Sequence, residues 1–217
     1  MTDLTEDTQD IKPESPQDPL DLPLLAKINF DLEKAIFLAF FILALITRIW
    51  GVGDRVVSHD ESLHTQYSYQ YYNGEGYTHS PLMHGPSLFH FTALSFWLFG
   101  DGDTSARIPV AIIGSILVIL PYFLRPWTGS VGAIVASFLL LISPYITYYS
   151  RYIRHDIPVI TAAVIVFIAI LYYLRKPKDK YLWWFAVGLA LMFTTMETAY
   201  IYVAIFGSFL VLALAVK

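Results

Sequence analysis

Cysteine is absent from the 217 residues, which excludes disulfides and thiolate metal sites. Charge is scarce as well. Charged residues make up 15% of the chain, where a soluble domain carries about 25%, and half of the acidic ones precede residue 35. There is no basic stripe of the kind that binds nucleic acid, and no basic, cleavable start of a signal peptide. What fills the chain instead is apolar: 56% of the residues are hydrophobic. From Ala35 onward long apolar runs alternate with short polar links. Several runs approach the roughly 20 residues needed to cross a ~30 Å hydrocarbon core. Five or six such helices in succession would leave a soluble protein no polar surface. The fold class that follows is all-α, a polytopic transmembrane bundle of about six spans.

Residues 1–32 are acidic and proline-rich, without hydrophobic periodicity before Leu20. Such a segment buries too little apolar area to offset its ordering entropy and reads as a disordered tail, with a short amphipathic piece at its end. Residues 33–217 form the transmembrane module. Spans are expected near 33–52, 106–124, 131–149, 157–174, 181–195 and 200–216, with a long polar loop at 53–105. Within that loop, residues 86–100 are apolar but only about 15 long, short for a crossing.

The basic links decide how this run is placed. If it lies along the interface, Arg125, the cluster Arg175, Lys176, Lys178 and Lys180, and Lys217 all share the side of the N-terminus. The opposite side then holds Asp54, Asp60, Glu61, Glu75, Asp101, Asp103 and Asp156. Lysine and arginine accumulate on the cytoplasmic side of membrane proteins. The tail is therefore expected in the cytoplasm of a multi-pass plasma-membrane protein, with interfacial helices in the outer loop. All six histidines fall in outer segments, so any chemistry is expected there.

Four outer motifs could carry it, each with a purely structural alternative. Ser58-His59-Asp60-Glu61-Ser62-Leu63-His64 has the spacing of a helix-capping box, Ser58 with Glu61. The same segment puts Asp60 and His64 on one helix face, as a general base or as two ligands of a divalent metal. Residues 77–86, with His79 and His84, read as a substrate-lining loop or as simple turn chemistry before an interfacial helix. In Ser150-Arg151-Tyr152-Ile153-Arg154-His155-Asp156 two arginines three apart could chelate a phosphate. Alternatively they snorkel to lipid headgroups with Asp156 as counter-ion. Arg107, at the outer start of its span, is a third candidate for the phosphate. Glu197 closes an apolar run, where an ionisable group is a functional candidate or a plain interfacial glutamate.

The order of these pieces resembles the start of a GT-C membrane glycosyltransferase, the superfamily of protein O-mannosyltransferases and aminoarabinose transferases. The matching features are a first span followed by Asp60-Glu61, an interfacial helix ending Leu98-Phe99-Gly100, and Ser105-Ala106-Arg107-Ile108-Pro109 opening the next span. Ser143-Pro144-Tyr145, the 150–156 motif and Thr195-Met196-Glu197-Thr198 follow. His-Asp-Glu-Ser and His-Gly-Pro are most similar to the subfamily called flippase-activity-associated. The resemblance covers residues from about 33 to the end and implies a polyprenyl-phosphate sugar as donor, on the outer face of the bilayer. It implies Asp60 as the base or metal ligand that activates an acceptor, with Glu61 as its partner. Arg107, Arg151 and Arg154 would bind the donor phosphate, supported by His59, His64, His84, Asp156 and Glu197. Transfer would invert the anomeric carbon, with polyprenyl phosphate as leaving group.

Two departures stand beside the match. Met196 occupies a position where relatives carry lysine, and relatives usually continue through further spans beyond Lys217. The expectation is thus a transferase or its N-terminal half. The rival is a non-catalytic membrane subunit of this fold that scaffolds a larger complex.

Overall fold

The structure, a computed structural model, describes residues 31–78, 80 and 83–215. The expected acidic tail, apart from its last two residues, lies outside the described residues. The described residues include nine α-helices and a 3-10 turn at Leu120–Leu124, and no strand occurs among them. The chain folds as an all-α bundle.

Helix α1 (Leu32–Ile49) starts at Asp31, whose carboxylate accepts a hydrogen bond from the Glu33 amide. This satisfies one of the orphan donors of a first helical turn. Two further helices lie in the long loop: α2 (His59–Tyr72) and α3 (Ser87–Phe99). At 13 residues, α3 is about 20 Å long and too short to cross a ~30 Å core. Leu88, Phe89, Ala93 and Phe96 face the protein, while Leu94, Trp97, Leu98 and Phe99 are exposed.

From Asp103 to Ile142 the chain is helical almost without interruption, yet it reverses direction. Helix α4 (Asp103–Ile119) passes into the 3-10 turn Leu120–Leu124 and then α5 (Arg125–Ile142). The turn is completed at Gly129, whose φ of 71° breaks the helical path; glycine adopts that left-handed conformation without a Cβ penalty. Short α6 (Pro144–Tyr149) leads to α7 (Asp156–Arg175), α8 (Asp179–Phe193) and α9 (Ala199–Ala215).

Helices α1, α4, α7, α8 and α9 overlap five of the expected spans closely; the third, expected at 131–149, is instead α5, which starts at Arg125 and ends at Ile142, with Pro144–Tyr149 in α6. Two stretches, Asp103–Ile142 and Asp156–Arg175, are long and apolar enough to cross a membrane by themselves. Others fall short of that test for visible reasons. Helix α1 carries Glu33, Lys34 and Arg48, and α8 and α9 have 15 and 17 residues, about 22 and 26 Å. The outer surface is apolar: Val131, Trp183, Val211 and Leu212 are each at least 65% exposed. In water such a surface would be an aggregation hazard; in lipid it is the expected exterior.

Two cores hold the bundle. Val159, Ala162, Val166 and Met192 join α7 to α8. There Gly188 allows close approach, because a Cβ on it would press into Val166 and the Ala162 carbonyl region. The second core, Leu88, Phe96, Ala106, Val110, Ile153 and Ile157, seats α3 on α4 and α7. Contacts define the two ends of the bundle. At one end Glu33 meets Arg125 at 3.1 Å and Trp127 packs on Tyr172 at 5.0 Å. At the other end α2, α3 and the 150–155 and 194–198 links come together.

Candidate functional site

Adjacent residues Asp60 and Glu61 have opposite fates. Successive side chains on a helix are about 100° apart, so α2 can bury one while presenting the other. Ser58 and Glu61 form the capping box in full, each side chain bonding the other's backbone amide. Glu61 is completely buried. Its Oε1 accepts from Arg107 Nε at 2.9 Å and from the Ile153 amide at 3.3 Å. Its Oε2 accepts from Arg107 Nη2 at 3.1 Å, Arg55 Nη2 at 2.9 Å and the Ser58 amide at 3.2 Å. Burial works to raise the Glu61 pKa, but the Arg107 hydrogen bonds and charge and the Ser58 and Ile153 amides outweigh it, holding the carboxyl below the usual range. A carboxylate with five donors and no solvent face is a structural anchor. Its oxygens are thus turned away from Asp60, the residue it was expected to partner, and toward Arg107 and Arg55.

The arginines separate in the same way. Arg107 is fully buried, and besides Glu61 it donates to the carbonyls of Val52 and Arg55 at 2.8 and 3.0 Å. Arg151 donates to the Thr47 and Trp50 carbonyls, both at 2.7 Å, and to Gly51 at 3.0 Å. It thereby caps the C-terminus of α1, where orphan carbonyls and the helix dipole favour a cation. Both arginines were expected to hold the donor phosphate; here Arg107 is turned to Glu61 and two carbonyls, and Arg151 gives three of its N–H groups to the carbonyls that end α1. Arg55, which no motif singles out, pairs with Glu61 and lies over the Tyr148 and Tyr152 rings at 5.1 and 4.9 Å. The Tyr152 hydroxyl in turn meets Ser58 Oγ at 2.5 Å.

Arg154 differs from the other three. It sits 3.8 Å from Asp60 Oδ2 and 3.2 Å from Asp156 Oδ2. Neither contact has hydrogen-bond geometry, and Asp156 Oδ2 has no hydrogen-bond partner. Among the described residues, the Arg154 guanidinium is thus held by charge alone, with its N–H groups uncommitted. Asp60 is exposed, at 52%.

Three histidines line the neighbouring floor. The His155 ring lies 4.9 Å from that of His64 and 5.3 Å from that of His84. His155 Nε2 faces the Gly85 carbonyl at 3.2 Å; a carbonyl can only accept, so Nε2 carries the proton. Burial, then the nearby His64, His84 and Arg154, push the His155 pKa down to about 3. Burial and His84 push that of His64 down to about 4, against the opposing pull of Asp60. His84 Nδ1 is 2.7 Å from Glu197 Oε2, which ties the 84–87 segment to the α8–α9 link. His59 is exposed, and its carbonyl accepts from Ser62 Oγ at 2.7 Å.

The His84-Gly85-Pro86-Ser87 segment is clamped. Gly85 N and Ser87 N donate to the Thr195 and Thr194 carbonyls at 3.0 and 2.9 Å, and Ser87 Oγ meets Thr195 Oγ1 at 2.8 Å. A Cβ on Gly85 would collide with the Thr194 carbonyl, so only glycine permits this approach. His84 adopts φ 61°, an uncommon left-handed conformation costing on the order of 1–3 kcal/mol. The clamp on either side offsets that cost.

A divalent metal between Asp60 and His64 does not fit this arrangement. Asp60 faces Arg154, and His64 is buried against His155 and Phe89, the latter at 5.9 Å. Among the described residues no group of three or more His, Cys, Asp or Glu side chains could hold a metal ion.

The profile of one protein family, dolichyl-phosphate-mannose-protein mannosyltransferase, matches residues 83–216. This stretch contains Arg107, Arg154, Asp156 and the clamped 84–87 segment. Asp60 lies ahead of it and is joined to it through Glu61 and Arg107. Comparison with curated proteins gives no match. Well over half of the chain thus carries the family pattern, on a helical bundle with a lipid-type exterior: the chain belongs to the dolichyl-phosphate-mannose-protein mannosyltransferase family, membrane glycosyltransferases of the GT-C type that use a polyprenyl-phosphate sugar.

Proposed function

We propose that this chain carries the donor-phosphate and base side of a sugar-transfer site, acting on an acceptor hydroxyl at the outer membrane face. One observation carries the assignment. Of the outer arginines 55, 107, 151 and 154, only Arg154 gives no side-chain hydrogen bond among the described residues, and it lies against the exposed carboxylate Asp60. Arg154 would bind the phosphate of the donor through charge-assisted hydrogen bonds. The acceptor oxygen attacks the anomeric carbon as the bond from that carbon to the phosphate oxygen breaks. The bonding pair leaves with polyprenyl phosphate, the hydroxyl proton passes to Asp60, and the configuration inverts. Asp156 lies 3.2 Å from Arg154, and His84, paired with Glu197, packs on the neighbouring His155 ring.

Charge-assisted contacts of this kind are worth about 1.5–3 kcal/mol, roughly 10–100-fold in affinity. Arg154→Ala is therefore expected to raise the donor KM by that factor, with Arg154→Lys recovering part of it. Donor binding unchanged in Arg154→Ala, measured by titration with a polyprenyl-phosphate sugar, would refute the phosphate role. Transfer undetectable in the parent protein and unaffected assembly in every site variant would favour a scaffolding subunit.

The reading also requires sidedness. Basic residues 125 and 175–180 share one end of the bundle with the start of α1, and the site occupies the other. We place the basic end in the cytoplasm and the site outside, with residues 53–105 as an outer loop. The cysteine-free chain suits single-cysteine labelling. In intact cells an impermeant thiol reagent is expected to modify His59→Cys and not Lys178→Cys; the reverse pattern would overturn the orientation.

A further inference from the structure

At the end of the bundle opposite the site, a groove of about 290 Å³ opens between α7, α8 and α9. Ile170 and Tyr173 from α7, Tyr181, Leu182 and Phe185 from α8, and Leu210 from α9 line it. Its rim is continuous with the α7–α8 turn, since Tyr173 is two residues before Arg175, and Lys180 immediately precedes Tyr181. That turn carries Arg175, Lys176, Lys178 and Lys180 against a single acid, Asp179, and all five are exposed.

None of the four cations forms an ion pair among the described residues. Arg125, at the same end, differs: it is neutralised by Glu33. Arg175 and Lys180 instead lie over aromatic rings, Trp127 at 5.8 Å and Tyr181 at 5.1 Å, which orders the cations without cancelling their charge. Trp183 and Trp184 are 72% and 58% exposed beside them, at the level where indoles meet headgroups. An apolar slot with a turn of positive charge at its mouth, unpaired among the described residues, is complementary to one class of molecule.

We propose that this groove binds an anionic phospholipid of the adjacent leaflet, an acyl chain between α7, α8 and α9 and the phosphate on the basic turn. The charge excludes a zwitterionic lipid as the preferred occupant, and the apolar slot excludes a free phosphate. Basic pockets between transmembrane helices recognise anionic headgroups in this way, each lysine or arginine near the surface contributing about 1 kcal/mol. The proposal is independent of the transfer chemistry, because no residue of the site takes part.

The test uses the purified full chain in detergent, with lipid retention read by native mass spectrometry. Phosphatidylglycerol is expected to be retained at least about tenfold better than phosphatidylcholine. The triple variant Lys176→Gln/Lys178→Gln/Lys180→Gln should lose that preference. Leu182→Trp, which fills the groove from an exposed position, should release both lipids while keeping the charge. Equal retention of the two lipids by the parent, or no retained lipid at all, would sink the idea. So would undiminished phosphatidylglycerol binding in Leu182→Trp, which would mean headgroup contact alone. Displacement of phosphatidylglycerol by an equal or lower concentration of polyprenyl phosphate would also overturn it, reassigning the groove to a prenyl chain.

Discussion

Asp60→Asn is expected to lower sugar transfer by roughly 10²–10⁴-fold while leaving the fold and donor affinity close to those of the parent. The substitution keeps the volume of the side chain and removes its capacity to take a proton. Folding should be spared because Asp60 is half exposed and, among the described residues, its ion-pair partner is Arg154 at 3.8 Å, a loose exposed pair of the kind worth about 0–1 kcal/mol. Donor affinity should be spared because the phosphate is assigned to Arg154. This separation distinguishes a base from a structural acid. Transfer from a labelled polyprenyl-phosphate sugar, measured in native membranes beside a binding titration, checks both halves. Full activity in Asp60→Asn would end the assignment of the base, whatever the fate of Arg154→Ala.

The neighbouring pair Asp60-Glu61 shows what the sequence could and could not disclose. The capping box at Ser58 and Glu61 was legible, because its partners are three residues apart and its geometry follows from a helix start alone. That Glu61 is also the buried counter-ion of Arg107 was not, since the contact spans 46 positions. The arginines make the same point. Their residue type admits a phosphate, a carboxylate or a row of helix-terminal carbonyls equally well. Only the return of the 150–156 link to the end of α1 gives Arg151 the carbonyls of residues 47, 50 and 51. Arg154, three positions on, points elsewhere and stays uncommitted. The fold class was readable from run lengths because the bilayer fixes them, and α3 was readable as too short to span. The histidine floor was not, because its members come from α2, the 84–87 segment and the start of α7, with no common spacing.

The second large effect concerns stability. Glu61→Gln should destabilise the bundle by about 3–5 kcal/mol, since it leaves the buried Arg107 charge without its counter-ion; Arg107→Met should cost less, because Arg55 at 2.9 Å still pairs with Glu61. The pair itself need contribute little net stability, because desolvation opposes it. A Glu61→Gln/Arg107→Met double variant should therefore be more stable than the sum of the two single changes allows.

Acid adds a signature. The Glu61 pKa is depressed in the folded protein, so its contribution is present above the unfolded carboxyl pKa of about 4.3 and disappears as pH falls through the folded value. His64 and His155 are depressed to about 4 and about 3, so each favours the fold above the unfolded value of about 6.5 and ceases to do so as pH falls through those lower values. Stability of the parent should thus decline on acidification in two overlapping stages, the first from the histidines below about 6.5 and the second from Glu61 below about 4.3. In Glu61→Gln the second stage should vanish and the first remain. Thermal unfolding in detergent between pH 7 and pH 3 reads this directly. A Glu61→Gln protein as stable as the parent at pH 7, or one with the same acid profile below pH 4.3, would show that the five donors around this carboxylate do not hold α2 against α4 and the 150–155 link.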